Sequence, residues 1–511
     1  MKKRNLGRWN RREVFQASAL GLLGAGPAAP AARTGDAAVY TKVGYTPFIN
    51  LTATYTINGG ALTLPEVKQA MEEASHFPVN LDELMEKVGG RIAELLGSES
   101  AIVTSGAAAA LTHATAACVA GADPEKMQQL PNVAGLKGIV LAPKQSRNAY
   151  DHAVRLAGVR MVEFDTPDEY HRLLGNDVAM VMVLGKSEPE QKIRLEEIAA
   201  LAHKRGVPVL VDAAAELPLK PNPYLSRGAS LVAYSGGKII RGPQCAGLLL
   251  GRKDLVAAAW INSSPHHALG RPMKVGKEEI MGMLAAIEVF SSKRDLEADY
   301  KLWTGWLNTI ADGVRSVPGV TTKLSGPAGA SPFPTMQVDW DPNQTGITAG
   351  EVGEKLLHGT PRIMSHAEGE GFGFRIRPIS MQPGDDRIVA KRLSEILRAA
   401  PKGRQAPALQ APVTDVSGEW EIDIEFVSGW TRHRASFDAA ANNVAGTYRG
   451  RVGSGAIKGT LDGEQIQFRS AIAYEGTSLS YRFEGTVNHG RMSGEVSLGE
   501  YGKGRWTARR A

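Results

Sequence analysis

The sequence predicts an α/β fold built on a mostly parallel sheet, followed by a separate all-β antiparallel meander or barrel. Three observations carry that prediction. Between residues 36 and 400, short apolar strands alternate with amphipathic helices, the pattern of a sheet whose strands are joined by crossover helices. Several of those strands, Val178–Leu184 among them, are wholly apolar, as expected of strands covered on both faces. Beyond residue 412 the period becomes two: Trp420 to Phe426 and Leu479 to Glu484 alternate, with glycines recurring between such runs.

In chain order, Pro65–Ser75 reads as a helix with proline at its first position, and Asp82–Leu96 as a second, ended by Gly97. Strands are expected at Ala101–Thr104, Gly138–Ala142, Arg160–Phe164, Val178–Leu184, Val207–Asp212, Leu231–Tyr234 and Gly247–Gly251. Between them lie helices such as Ala107–Ala120 and Leu195–His203, and a last amphipathic helix covers Asp385 to Ala400. Residues 403–412 have linker composition. Residues 413–511 form the antiparallel domain. Its turns are assigned to Gly446–Gly450, Gly459–Gly463, Gly485–Val487 and Gly494–Val496, and it holds no acid/base cluster.

The formal charge of +6 sits entirely in residues 1–33, where seven Lys and Arg face one Glu. The rest of the chain is neutral, so no general field draws a polyanion, and a nucleic-acid partner is not expected. The charged segment reads as an export signal: Asn10-Arg11-Arg12-Glu13-Val14-Phe15-Gln16, an apolar stretch from Ala17 to Gly26, then small residues to Ala32. Paired arginines ahead of an apolar residue match a twin-arginine signal, with a Sec signal or a basic tail as alternatives. The apolar stretch is too short to span a bilayer, and no later run of 18 apolar residues follows. The expectation is a folded, exported protein, periplasmic or otherwise extracytoplasmic, free of the membrane once the signal is removed. For Cys118 and Cys245, one bridge or two buried thiols both fit; their apolar or small neighbours favour buried thiols.

Two constellations carry chemistry. Asp212 ends an apolar strand, so its carboxylate belongs at the C-terminal edge of the sheet, where open α/β folds bind ligands. Lys238, in Tyr234-Ser235-Gly236-Gly237-Lys238, follows one strand later and returns to the same edge. A carboxylate there suits a protonated ring nitrogen, and a buried lysine loses its charge easily enough to form an imine. Thr104-Ser105-Gly106-Ala107-Ala108 follows a strand and opens a helix, which makes an anion site of its free amides. Singly, each feature is more often a turn, a cap or a solvated loop. In this order on this strand pattern they specify much more. Gly236-Gly237-Lys238 is not a nucleotide phosphate loop, because Val232 and Ile239 stand where that loop needs Gly and Ser or Thr.

These residues, together with Gly44–Asn50, Val211–Pro218 and Ser235–Gln244, resemble the fold-type I pyridoxal 5′-phosphate (PLP) enzymes related to bacterial selenocysteine synthase. Within that group the chain is most similar to the D-glucosaminate-6-phosphate ammonia-lyase-like branch. The resemblance spans about residues 40–400. It implies an aminotransferase-like fold with a large PLP domain, here 36–300, a small α/β subdomain, here 301–402, and a homodimer or higher homo-oligomer. It makes Lys238 the Schiff-base lysine and Asp212 the partner of the ring nitrogen. Ser105, Gly106, Ala107 and Ser235 become phosphate contacts. Asn148 or His152, on one face if helical, falls where such enzymes cover the cofactor ring. Arg377 is the candidate for a substrate carboxylate, and Arg271 for a neighbouring subunit's phosphate. His266 and His267 are adjacent and diverge, and no metal site is expected.

The reaction this implies is α,β-elimination from a small amino acid or amino-sugar acid, with ammonia and a 2-oxo acid as products. A seleniumtransferase acting on seryl-tRNA is the alternative. The neutral body, the export signal and the short stretch ahead of the catalytic region weigh against it. A non-catalytic extracytoplasmic binding protein with a degenerate site is the alternative of another class.

Overall fold

The computed structural model describes residues 37–327, 332–403 and 408–511. The export signal expected at 1–33 lies outside the described residues. A two-residue strand, β1 (Ile49–Asn50), precedes the helices Pro65–Ser75 and Leu81–Leu96. Asn80 starts the second helix by accepting from the amides of Asp82 and Glu83, and Gly97, at φ +68°, ends it.

The main sheet then runs through β2 (Ser100–Thr104), β3 (Ile139–Pro143), β4 (Arg160–Phe164), β5 (Val178–Leu184), β6 (Val209–Asp212), β7 (Leu231–Ser235) and β8 (Gly247–Gly251). Their order across the sheet is β2-β8-β7-β6-β5-β3-β4. Only β8 runs against its neighbours. Every residue of β5, β6 and β8 is buried, which explains their unbroken apolar character.

A second core forms around an antiparallel sheet of β9 (Val320–Ser325), β10 (Thr335–Trp340) and β12 (Gly373–Ile376), with β10 in the middle. β11 (Ile363–Met364) pairs instead with β1. Ile49, Leu51 and Ala53 are buried in this second core with Trp303, Trp306 and Phe374. The expected division at residue 300 is therefore redrawn in two places. The segment around β1 packs with the smaller unit, and helix Leu296–Val314 runs straight through the boundary.

The last eight strands close into a barrel in simple up-and-down order: β13 (Gly418–Glu425), β14 (Trp430–Ala440), β15 (Asn443–Arg449), β16 (Ser454–Asp462), β17 (Gln465–Tyr474), β18 (Thr477–Asn488), β19 (Arg491–Ser497) and β20 (Lys503–Arg510). Pairing of β13 with β20 removes both sheet edges. Aromatic side chains fill the interior. Phe468 and Phe483 face each other across β17 and β18 with centroids 4.4 Å apart, and Trp506 meets Phe483 edge-on at 5.3 Å. Gly446, Gly459, Gly485 and Gly494, expected in turns, lie inside strands. A Cβ at each would collide with a carbonyl oxygen of the neighbouring strand, so these glycines let the strands coil closely enough to close. The segment expected to be linker is partly bound to the barrel: the Gln410 amide donates to Asp462 at 2.6 Å.

Candidate active site

Sheet register decides which side chains meet. Leu184 pairs with Asp212, Asp212 with Ala233, Ser235 with Gly247, and Gly247 with Thr104. The C-terminal ends of β2, β5, β6 and β7 thus converge on one edge, beside the start of the reversed β8. A cavity of about 560 Å³ opens there, within the size range of small-ligand sites. Ser105, Gly106, Ala107, Asn148, Asp212, Ser235 and Lys238 all line it.

Each group is held for a physical reason. Asp212 is buried, and its Oδ1 accepts from the Ala214 amide at 3.0 Å. Burial pushes its carboxyl pKa up, against the opposing pull of that hydrogen bond and of Lys238. Burial likewise pushes the Lys238 ammonium down, opposed by Asp212. A desolvated lysine and a desolvated carboxylate therefore share one space, each the other's main countercharge. The loop between them is braced from the N-terminal segment, where the Ala61 amide donates to the Gly237 carbonyl at 2.9 Å. Helix Gly106–Ala120 points its first turn at the cavity. Ser105 makes no side-chain cap, so the first amides keep no partner from their own helix. Gly106 takes φ +80°, and β8 seats so close to it that a Cβ on Gly247 would strike the Gly106–Ala107 peptide.

Three expected residues lie elsewhere. His152 is exposed and does not line the cavity. A short 3-10 helix ends at Ser146, Arg147–Tyr150 turns without helix, and the next helix begins only at Asp151, so Asn148 and His152 share no helical face. Asn148 reaches the cavity, yet its amide is committed locally: Nδ2 donates to the Ser146 carbonyl at 2.9 Å and Oδ1 accepts from the Tyr150 amide at 2.8 Å. Tyr150 instead presents its ring to Lys238, whose Nζ lies 5.8 Å from the centroid. Arg377 follows the end of β12, half-buried outside the cavity lining, and its amide donates to Leu51. Arg271 is exposed and donates to Ser264 Oγ at 3.1 Å. Both cysteines are free, and Cys245 is exposed and lines the cavity rather than being buried. Its loop crosses the sheet edge, which apolar neighbours in sequence did not reveal.

Sequence reasoning missed Tyr150, Lys186 and Glu216, which also line the cavity. Lys186 lies two residues past β5, where the strand-end rule places ligand contacts, and its charge acts on both Asp212 and Lys238. Burial pushes the Glu216 carboxyl up to about 6, opposed by its short hydrogen bond from the Tyr224 hydroxyl.

The cavity has the donor set that PLP requires: a desolvated lysine, a buried carboxylate, and a glycine-started helix with free amides. Comparison with known proteins agrees. The aminotransferase class-V family model matches residues 65–271. A 5'-C-glycyluridine monooxygenase-decarboxylase from Streptomyces sp is 30% identical over 381 residues, covering 71% of this chain and 94% of the relative. D-glucosaminate-6-phosphate ammonia lyase from Salmonella typhimurium is 25% identical over 374 residues, covering 71% and 98%. A solved structure of D-glucosaminate-6-phosphate ammonia-lyase superimposes with a TM-score of 0.63 at 25% identity, over 72% of this chain and 99% of that one. An L-seryl-tRNA(Sec) selenium transferase from Moorella thermoacetica is 25% identical over 414 residues, covering 70% and 83%. The chain belongs to the class-V aminotransferase family, and its cofactor is PLP.

Proposed function

We propose that the protein is a lyase that removes a β-substituent and ammonia from an amino acid or amino-sugar acid, leaving a 2-oxo acid. The observation that carries this reading is the pairing of desolvated Lys238 with buried Asp212 in one cavity at the sheet edge. Lys238 would hold the cofactor covalently, and Asp212 would stand as the partner that keeps its ring nitrogen protonated. Ser105, Gly106, Ala107 and Ser235, with the first amides of the Gly106 helix, hold its phosphate. PLP, when bound, supplies the electron sink that stabilises charge at the substrate Cα. The Lys238 amine would take the substrate Cα proton, a task suited to a lysine whose proton affinity burial has lowered. Glu216, which titrates near 6, donates a proton to the departing β-group. Tyr150 covers the site beside Lys238.

Arg377 stands outside the cavity lining, half-buried and with no ion pair among the described residues, so its assignment to a substrate carboxylate rests on the family resemblance and on a guanidinium left available. Arg271, exposed, is assigned to the phosphate of a neighbouring copy in a homodimer. Light scattering on the purified protein checks that assembly. The Arg11-Arg12 motif supports a reading of export in the folded state; fractionating cells that carry Arg11→Lys with Arg12→Lys tests it. Among the described residues no helix is long and apolar enough to cross a membrane.

A second reading is favoured by the 30% identical relative, whose name includes monooxygenase and decarboxylase: oxygen-dependent decarboxylation of an amino acid. One experiment separates the two. The PLP-loaded enzyme is offered a panel of amino acids and amino-sugar acids while ammonia, 2-oxo acid, carbon dioxide and oxygen uptake are followed. Ammonia with 2-oxo acid and no oxygen uptake supports elimination. Matched oxygen uptake and carbon dioxide release replaces it with the second reading.

A further inference from the structure

In an up-and-down barrel, alternate loops emerge at the same end. Here one end carries Phe426–Gly429, Gly450–Gly453, Glu475–Gly476 and Leu498–Gly502. That end faces the cofactor cavity. Tyr150 feels the charge of Glu500 from the last of these loops, and the tip of the β17–β18 hairpin touches the Ser146–Asp151 turn directly.

The contact is specific. Asp151 is completely buried and accepts from the Asn148 amide at 3.3 Å and from Arg147 Nε at 2.5 Å. Arg147 in turn donates through Nη2 to Glu475 Oε2 at 3.0 Å, and Arg155 Nε lies 3.9 Å from the same oxygen. The guanidinium is thus held between two carboxylates of the large domain, buried Asp151 and exposed Glu163 at 3.5 Å, and one carboxylate of the barrel. Gly476, at φ +75°, lies flat on the turn. A Cβ there would collide with Asp151 Oδ2 and stand 2.6 Å from the Asn148 carbonyl oxygen and 2.8 Å from its amide nitrogen.

We propose that Glu475 and Gly476 are positioning residues of the cofactor cavity, through which the barrel fixes the Asn148–Tyr150 turn and so the placement of Tyr150 beside Lys238. From the large domain the turn is tied mainly at its start, where Ser146 Oγ accepts from the Leu184 amide and from Gln191 Nε2, both at 2.9 Å, and by a longer bond of 3.5 Å from Arg147 to Glu163. The Asn148–Tyr150 stretch itself has only local side-chain bonds and the barrel contact. The role of the barrel is therefore to hold a wall of the active site.

The fold supplies its own control. His489-Gly490 joins β18 to β19 as Glu475-Gly476 joins β17 to β18, each a two-residue turn with positive φ at both positions. Gly490 takes φ +74°, but a Cβ there meets nothing within 4 Å. Gly476→Ala and Gly490→Ala therefore impose the same backbone strain at opposite ends of one barrel, and only the first presses on the cavity. In the full-length protein, hydrogen–deuterium exchange of peptides covering residues 146–156 should quicken by about tenfold or more in Gly476→Ala and stay at the wild-type rate in Gly490→Ala. The visible circular dichroism of bound PLP should change in the first variant alone. Glu475→Gln, which adds no strain, should show the same effects in weaker form. Wild-type exchange in Gly476→Ala, equal acceleration in both glycine variants, or quickened exchange with unchanged cofactor dichroism would each overturn the proposal. The cofactor arm rests on the reading of the cavity given above. A wild-type protein that binds no PLP would sink that reading, while the exchange comparison still decides whether the barrel sets the turn.

Discussion

The sheet edge and the barrel both depend on glycine, with opposite results. At the edge, Gly247 lets β8 press against the Gly106–Ala107 peptide, and the space beyond the strand ends remains open as a cavity. In the barrel, Gly446, Gly459, Gly485 and Gly494 let strands approach just as closely, but the space they enclose is filled by Trp420, Phe468, Phe483 and Trp506. The difference lies in topology. Parallel strands must end in loops that leave one another, so their carboxyl ends cannot close over the space between them. An antiparallel up-and-down barrel of eight strands closes every edge and is narrow enough for side chains to fill. Chemistry therefore concentrates where the first sheet stops, and the barrel offers rigidity to whatever its loops touch.

Mutations at the two regions should separate chemistry from stability. Lys238→Ala should abolish covalent cofactor attachment and lower turnover by more than about 10³-fold, with the thermal transition of the barrel unchanged; normal turnover would break the comparison. Phe483→Ala should do the reverse. Denaturant melts should show a loss of about 3–5 kcal/mol in the barrel, while cofactor remains attached to Lys238 wherever the barrel stays folded. Asp212→Asn should lower kcat by about 10²-fold or more, because the ring nitrogen loses its charged partner, and steady-state kinetics with intact cofactor loading would show it.

The smallest effect concerns Glu216. Its carboxyl titrates at about 6 in the folded protein against an ordinary 4.5, so the folded state holds the proton more tightly than the unfolded state does. The associated stability is fully present below about pH 4.5 and is lost as pH rises through about 6, on the order of 1–2 kcal/mol. Melts of wild type and Glu216→Gln across that range should diverge accordingly. Parallel pH profiles would remove Glu216 from the account as a proton carrier.

What was legible in the sequence divides along the same line. The strands of the main sheet are readable because burial on both faces forces unbroken apolar runs, and Asp212 and Lys238 are readable because they stand immediately after such runs. The barrel glycines read as turns in the sequence because a glycine that lets two strands touch and one that lets a chain reverse leave the same mark between alternating runs. His152 was misplaced because nothing in Ser146–His152 announces that helix begins only at Asp151. Tyr150 and Glu216 stand within or beside recognised motifs, but three-dimensional register is needed to show that they line the same cavity as Lys238. The contact of Gly476 with Asn148 joins residues more than 300 positions apart, and no periodicity reports a contact between domains.

The most direct test of the central claim is borohydride reduction of the purified protein, followed by peptide mapping. The expected result is a visible cofactor band that reduction removes, with the reduced PLP found on the peptide containing Lys238. Reduced cofactor on another lysine, or none after incubation with PLP, would contradict it.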